Sequence, residues 1–331
     1  MTNQTTLTSR VAGLTLAAAC AVAAVTPIHA DEFPSQPIKI VVPYAAGGGT
    51  DILARLIGQE ISASMGQPVI VDNRPGGSTF IGSDAVARAR PDGYTLLASA
   101  ASTFAINPSL YKNLPYDPVG SFSPITLVAR FPLLLVVSKD FPARTVQEFI
   151  AYTKARPGEL NFGSAGIGST HHLAMELFKQ RAGLDMVHVP YRGAGPAVQD
   201  LMAGRIPVMF LDVTVATSPL QSGMIRALGI ATSERFSELP DVPTISEAGV
   251  AGFEASAWNG VVAPAGTPPP VVERLNAEIG KALQGDAFKT KLHAMGIEPA
   301  HMSSSEFAAY IKSEIQKWGD VIRKGNITVN Q

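Results

Sequence analysis

The stretch Tyr44-Ala45-Ala46-Gly47-Gly48-Gly49-Thr50-Asp51 decides the fold, because it joins an apolar strand at residues 38–42 to an amphipathic helix. The helix carries its apolar residues on one face, namely Leu53, Leu56, Ile57 and Ile61. A helix start offers unpaired N–H groups and a partial positive charge, so it can bind a carboxylate or phosphate without lysine or arginine. Glycine lets the backbone approach such a ligand closely.

A second glycine-rich turn precedes another helix, at Phe162-Gly163-Ser164-Ala165-Gly166-Ile167-Gly168-Ser169-Thr170-His171-His172. Two further candidate turns are Tyr191-Arg192-Gly193-Ala194-Gly195-Pro196 and Asn73-Arg74-Pro75-Gly76-Gly77-Ser78. Micromolar affinity needs about 8 kcal/mol. One helix end contributes about 0.3–1 kcal/mol, and each hydrogen bond to a charged group about 1.5–3 kcal/mol. We therefore expect two turns, one from each of two lobes, to share one ligand.

Nucleotide, metal and catalytic motifs are absent from the sequence. No Gly-Lys-Ser/Thr follows the first turn, and Ile52 and His171 stand where a dinucleotide motif needs its third glycine. No serine has the flanking glycines of a nucleophile elbow. His171 and His172 point to different faces of a helix and make a poor metal pair. We expect no catalytic residue, no metal and no cofactor. A secreted hydrolase that uses Ser164 or Ser169 with a histidine is the alternative from another class.

Three further residues lie where they could reach a ligand. Asp51 is expected to cap the first turn of its helix rather than to act as a catalytic acid. Asp212 ends an apolar strand and is either a buried structural partner or a contact for a ligand ammonium. Phe104 follows a strand at residues 95–98, at the edge where open α/β sheets bind ligands.

The N-terminal thirty residues are typical of an export signal. Arg10 precedes an apolar run at residues 11–25, and small residues lead to a cleavage site after Ala30. The run is too short to span a bilayer. An uncleaved anchor and a lipidated Cys20 are the alternatives. Cleavage after Ala30 removes the only cysteine, which excludes disulfides and thiolate chemistry in the mature chain.

Charge and size exclude some classes of protein. The whole chain has a formal net charge of −1, and neither sign is concentrated in any segment, which argues against a nucleic-acid partner. About 300 mature residues exceed one typical core, so two domains are expected. The 46% hydrophobic content is sufficient to bury both.

Strand and helix patterns alternate from residue 38 onward, which predicts a parallel α/β sheet with crossover helices. After an apolar strand at residues 133–137 the alternation restarts, as a second α/β unit. Two amphipathic helices follow the apolar stretch at residues 257–263. The chain is therefore predicted to cross between two lobes near residues 132 and 256, with the C-terminal helices in the first lobe. Such a two-segment hinge permits closure around a cleft.

Several segments, in one order along essentially the whole mature chain, resemble the Bug (TctC-like) extracytoplasmic solute-binding proteins. They are the strand and first turn at residues 37–51, Asp72-Asn73-Arg74-Pro75-Gly76-Gly77, Pro91-Asp92-Gly93-Tyr94-Thr95-Leu96-Leu97, Asn107-Pro108-Ser109-Leu110-Tyr111, Leu114-Pro115-Tyr116-Asp117-Pro118, residues 163–173, His188-Val189-Pro190-Tyr191-Arg192-Gly193 and Ala263-Pro264-Ala265-Gly266-Thr267-Pro268.

The resemblance implies a periplasmic α/β protein with the two-lobed type II binding fold, the Venus flytrap, and two hinge crossovers. It implies reversible capture of a small organic carboxylate, not enzymatic turnover. Partners would be the membrane components of a tripartite tricarboxylate transporter, or alternatively a membrane sensor kinase. We expect a monomer. After a signal at residues 1–30, lobe 1 would comprise residues 31–132 and 256–331, and lobe 2 residues 133–255.

The resemblance also assigns ligand-binding roles to the first turn and, in the facing lobe, to residues 164–172 and 191–194. With the residues argued above, the expected ligand contacts are Tyr44, Gly47, Gly48, Gly49, Thr50, Asp51, Phe104, Ser164, Gly168, Ser169, Thr170, His171, Tyr191, Arg192, Gly193, Ala194 and Asp212. This chain departs from the family pattern at Met209-Phe210-Leu211-Asp212-Val213, where many relatives have aspartate directly after Met-Phe. It also has Tyr44-Ala45-Ala46 where phenylalanine and a following proline are frequent.

Overall fold

The computed structural model describes residues 33–329, whose strands form one mixed α/β sheet. The strands are β1 (Ile38–Val42), β2 (Val69–Asn73), β3 (Thr95–Ala100), β4 (Phe122–Ser138), β5 (Asn161–Ser164), β6 (Val187–Pro190), β7 (Val208–Asp212), β8 (Ile225–Ile230), β9 (Ser256–Pro264) and β10 (Glu298–Pro299). The helices are α1 (Gly49–Met65), α2 (Phe80–Ala87), α3 (Asn107–Leu110), α4 (Val146–Lys154), α5 (Thr170–Ala182), α6 (Ala194–Met202), α7 (Val213–Gln221), α8 (Pro269–Gln284), α9 (Asp286–Ala294) and α10 (Ser304–Lys324). The expected signal segment lies outside the described residues.

The first half of the sheet has the strand order β2-β1-β3-β9-β4. β1 pairs in parallel with β2 and β3, as the alternating strand and helix patterns predict. β9 arrives from far along the chain and pairs antiparallel with both β3 and β4. The predicted parallel sheet is therefore present around β1, but long-range pairing of β9 adds an antiparallel strand that no local pattern indicates.

The second half repeats this plan. β5 pairs in parallel with β6 and β7, while β4 pairs antiparallel with β7 and β8. The restart of α/β alternation after residue 137 is confirmed by these parallel strands.

Strand β4 belongs to both halves of the sheet. Its last pair with β9 is Pro132 with Ser256, and its first pair with β7 is Leu133 with Asp212. The chain therefore changes partners between two consecutive residues, and the first residue of β9 lies at the same place.

The C-terminal helix α10 is anchored to the sheet by a buried carboxylate. Trp258 of β9 and Trp318 of α10 are fully buried, and both indole N–H groups donate to Glu314 Oε2 at 2.9 Å. Lys317 Nζ lies 2.5 Å from the other oxygen of Glu314. A buried charge needs such partners, so this contact fixes α10 against the first half of the sheet. Among residues 33–329, no helix has the length and apolar character needed to cross a membrane.

Candidate ligand-binding site

The first turn is shaped from inside by Asp51. Gly48 is the N-cap of α1, and Gly47 has a left-handed φ of +86°. Asp51, only 2% exposed, accepts the Gly47 N–H at 2.9 Å, together with Arg55 Nε at 3.1 Å and Asn73 Nδ2 at 2.9 Å. Burial alone would raise the pKa of Asp51, but hydrogen bonds from Arg55, Gly47 and Asn73 outweigh it and lower the pKa. Both carboxylate oxygens are occupied, so Asp51 supports the turn from inside.

A chain of hydroxyl groups links the first turn to the turn before α2. Tyr44 Oη lies 2.9 Å from Ser102 Oγ and accepts a 3.4 Å hydrogen bond from Ser99. Ser99 Oγ lies 2.6 Å from Thr103 Oγ1, which donates to Thr79 Oγ1 at 2.9 Å. Ser102 and Thr103 belong to a short π-helix, Ser102–Ile106, a conformation often found at functional sites.

The turn before α2 contains candidate site residues that were not among the expected ligand contacts. Ser78 and Thr79 have φ of 53° and 81°, a region that residues with a Cβ rarely adopt. Asn107 Nδ2 donates to the Ser78 carbonyl at 2.9 Å, and Ser78 Oγ lies 2.8 Å from Tyr111 Oη. Backbone strain of this kind persists where surrounding contacts enforce it, commonly at functional sites. In the sequence, Gly76 and Gly77 were the feature that indicated a turn here.

In the second half, two turns are joined by their backbones. Tyr191 N–H donates to the Ser164 carbonyl at 3.0 Å, and Gly193 N–H to that of Ala165 at 3.1 Å. Ser169 is the N-cap of α5, and its side chain accepts a hydrogen bond from the backbone of the third helical residue. The turns at residues 163–172 and 191–194 therefore form one surface at the starts of α5 and α6.

Two stacked histidines support this surface from its buried side. The rings of His172 and His188 lie 3.7 Å apart at 10°, and His172 Nδ1 accepts the Gly168 N–H at 3.2 Å. Burial lowers the pKa of His172 to about 3, with His188 and Lys179 adding to the effect. Burial and then Lys179 lower the pKa of His188 to about 4. Both rings are therefore neutral near pH 7, as the acceptor role of His172 requires.

Ser164 and His188 form the hydrogen bond that a serine hydrolase would need, with Oγ 2.6 Å from Nε2. Ser164, however, has no exposed surface and also accepts the Gly166 N–H at 3.1 Å. A histidine with a pKa of about 4 is a weak base at neutral pH. Within residues 33–329 no carboxylate is hydrogen-bonded to His188. A substrate therefore has no access to the Ser164 hydroxyl, His188 is too weak a base to activate it, and no acid among the described residues orients His188.

His171 and Asp212 are hydrogen-bonded at the start of α7, with Nε2 2.8 Å from Oδ2. Asp212 ends β7 and is the N-cap of α7, and its side chain is 19% exposed. The contact with His171 agrees with the first alternative for Asp212, a structural partner, and a ligand contact stays a prediction. His171 Nδ1 is buried and has no partner among the described residues.

Other expected contacts differ in their exposure to solvent. Gly47, Gly48, Gly49 and Arg192 are exposed, whereas Thr50 is half-buried and accepts Asn259 Nδ2 at 3.1 Å. Phe104 corrects the prediction: it is fully buried and stacks on Trp258 at 6.0 Å, so it belongs to the core rather than to a cleft.

The second turn faces the first half of the sheet. A Cβ on Gly168 would lie 2.5 Å from Leu110 Cδ1 of α3, a helix that follows the π-helix directly. No cluster of His, Cys, Asp or Glu able to hold a metal occurs within the described part of the chain.

Residues 53–327 match the model of the tripartite tricarboxylate transporter family receptor. The chain belongs to this receptor family. This chain is 39% identical over 299 residues to BugT of Bordetella pertussis, covering 90% of this chain and 92% of BugT. The resemblance to Bug (TctC-like) proteins is thereby confirmed. Receptors of this family are periplasmic solute-binding proteins that work with membrane components of a tripartite transporter.

Solved structures confirm the two-lobed type II binding fold of the receptor. R. palustris Rpa4515, solved with adipate, is 37% identical with a TM-score of 0.77, covering 90% of the receptor and 99% of that chain. MatC (Rpa3494) of Rhodopseudomonas palustris, solved with bound malate, is 36% identical with a TM-score of 0.72. The match covers 88% of this chain and 100% of MatC.

Proposed function

We propose that this chain is a periplasmic solute-binding protein that reversibly captures a small organic carboxylate between its lobes and delivers it to a tripartite tricarboxylate transporter. One observation carries the proposal: glycine turns begin α1 in the first half of the sheet and α5 and α6 in the second. The glycines before α1 are exposed, and the turns before α5 and α6 reach the surface at Ile167, Arg192 and Gly195. Helix starts bind anions through backbone N–H groups. Turns from both halves together supply enough donors for micromolar affinity, which one turn does not.

The lobes are residues 31–132 with 256–331, and residues 133–255. The change of partner in β4 between Pro132 and Leu133 supports a hinge at this boundary, because β9 begins at Ser256 beside it. Two crossing segments at one place allow the halves to rotate as units. Ligand donors on both halves would then favour the closed form.

Dicarboxylates are the ligands that the comparisons support. Rpa4515 was solved with adipate and MatC with malate, and each is more than a third identical to this chain. The alternative partner is a membrane sensor kinase, which would read the same closed form. Uptake of radiolabelled ligand, measured in cells with and without the membrane components of the transporter, distinguishes a role in transport from a role in signalling.

A thermal-shift panel tests capture of a carboxylate. Adipate, malate, succinate and citrate are compared with the neutral diamides of adipate and succinate. At a hundredfold excess over Kd, binding stabilises the folded form by about 2.7 kcal/mol. At least one carboxylate should raise the melting temperature and the amides should not. Equal shifts from the amides would contradict anion recognition by helix starts.

Two control measurements test cleavage of the export signal and the absence of ester hydrolysis. Intact mass of the exported protein should correspond to a chain that begins at Asp31, and retention of Cys20 would contradict cleavage after Ala30. p-Nitrophenyl acetate should not be hydrolysed above the rate of a Ser164→Ala variant. Turnover that depends on Ser164 would instead favour the hydrolase, which the Ser164–His188 hydrogen bond alone suggests.

A further inference from the structure

We infer that the site selects against a ligand ammonium group, so that its ligand is a carboxylate without an amino group. The inference rests on the proposed function, since it concerns the same cleft. It comes from one juxtaposition: each carboxylate beside the turns already has a basic partner, whereas Arg192 in the third turn has none among residues 33–329.

In the first half, the carboxylates beside the turns are Asp51 and Asp72. Arg55 contacts Asp51 through both Nε and Nη2, the latter 3.0 Å from Oδ1. Asp72, at the end of β2, accepts Arg74 Nε at 2.9 Å. An ammonium entering between the turns would have to displace Arg55 from Asp51, and at Asp72 it would meet a carboxylate whose charge Arg74 already offsets.

In the second half, the corresponding carboxylates are Asp200 and Asp212. Asp200 accepts the Tyr191 hydroxyl at 2.7 Å and Arg205 Nη1 at 2.6 Å. Asp212 is hydrogen-bonded to His171 Nε2 at 2.8 Å. Neither therefore presents a carboxylate without a partner to the ligand.

The remaining charges and dipoles near the turns are positive. Arg192 is exposed, and no hydrogen bond or ion pair engages it within the described residues. The starts of α1, α5 and α6 lie at the same turns and add partial positive charge. A second carboxylate on the ligand is favoured by this field, whereas an ammonium is repelled and loses hydration without a counter-charge.

Unpaired carboxylates do occur in the chain, but on another face. Glu234, Glu254 and Glu298 line a pocket of about 210 Å³ together with Arg130. Arg130 and Phe131 are consecutive in β4 and so point to opposite faces of the sheet. Phe131 is the residue beside the first turn, with its ring 3.8 Å from a Cβ placed on Gly49. The glutamates are therefore not available to an ammonium held by the turns.

Matched ligand pairs measured by calorimetry test the inference. The pairs are succinate and L-aspartate, glutarate and L-glutamate, adipate and L-2-aminoadipate, and 3-phenylpropionate and L-phenylalanine. The members of a pair share their carboxylates and differ by one ammonium. In each pair that binds, the amino acid should bind at least tenfold more weakly.

A variant at His171 tests whether the partners of these carboxylates cause the selection against an ammonium. His171→Asn takes the imidazole from Asp212 and should move the affinity ratio within a pair at least threefold toward the amino acid. His301→Asn is the matched control, because His301 is exposed and its ring nitrogen hydrogen-bonds to Asn276, away from the turns. Its ratio should equal that of the wild type.

The outcomes separate this inference from the proposed function. Amino acids that bind as tightly as their partners would overturn the inference and leave carboxylate capture standing. An unchanged ratio in His171→Asn would overturn the assignment of Asp212 as an occupied acceptor and the inference with it. Binding of no member of any pair would overturn both the proposed function and the inference.

Discussion

Asp51 and His172 show how single buried side chains fix the glycine turns. Asp51 accepts the Gly47 N–H, and His172 accepts the Gly168 N–H, so each fixes one glycine turn from its buried side. The sequence was sufficient to place Asp51 in the first turn of α1. It was not sufficient for Phe104, because burial against Trp258 depends on a strand more than 150 residues away in the sequence.

Asp51→Asn should destabilise the fold by about 1–2 kcal/mol, because one buried hydrogen bond and the charge opposite Arg55 are lost. Urea unfolding measures the change. Asp84→Asn is the control: Asp84 also pairs with an arginine four residues later, but the pair is more exposed, and its loss should cost less than about 0.5 kcal/mol. Equal effects from both variants would contradict the supporting role of Asp51.

The buried histidines predict a pH dependence of stability. The folded pKa of His172 is about 3 and that of His188 about 4, below the unfolded value of about 6.5. Between these values only the unfolded chain binds the protons, so stability is full above about pH 6.5 and falls as the pH drops toward 4. Denaturation at several pH values should show a shallower fall in His188→Gln than in His301→Gln. Parallel curves would mean that the pKa of His188 is not lowered in the folded protein.

At the level of elements, the π-helix Ser102–Ile106 connects two turns that are far apart in the chain. Its hydroxyls and those of Ser99 and Thr79 form the chain that ends at Tyr44. Glycine patterns predicted the turns themselves, because a glycine before a helix is a local signal. The hydroxyl contacts could not be predicted, since they join residues from three separate segments.

Thr103→Val should weaken ligand binding about tenfold, because it removes the central hydroxyl of this chain without changing side-chain size. Thr103→Ser restores a hydroxyl and should recover most of the affinity. Thr153→Val is the matched control: Thr153 is equally buried, but its hydroxyl donates to Phe149 O within α4. Both valine variants should lose about 1 kcal/mol of stability. An unchanged Kd in Thr103→Val would show that the chain has only a structural role.

For the whole molecule, the sequence predicted two α/β units and the crossing near residues 132 and 256, because apolar strands recur on both sides of these positions. It did not predict the first part of β4. That part contains Pro124 and Arg130, which interrupt the apolar pattern, and its partner β9 follows more than a hundred residues later. The proposal that turns from both halves contact one ligand belongs to this scale, because it depends on how the two halves lie together.

Calorimetric titration of two glycine variants tests most directly whether one ligand contacts both lobes. Gly48→Val and Gly195→Val each place a branched side chain at a turn, one per lobe. Neither glycine has a positive φ, and the nearest atom to either new Cβ is Ala45 O, 3.7 Å from that of Gly48. Gly168 is unsuitable, since its φ of +76° would strain any substituent. Gly285→Val is the control, at the exposed N-cap of α9.

The titrant is adipate, or whichever carboxylate of the thermal panel gives the largest shift. Loss of two hydrogen bonds to a charged group, at about 1.5–3 kcal/mol each, predicts binding about a hundredfold weaker or more in each turn variant. Gly285→Val should bind like the wild type, and circular dichroism should show all three variants folded. Wild-type affinity in either Gly48→Val or Gly195→Val would place the ligand in one lobe only and contradict its capture between two.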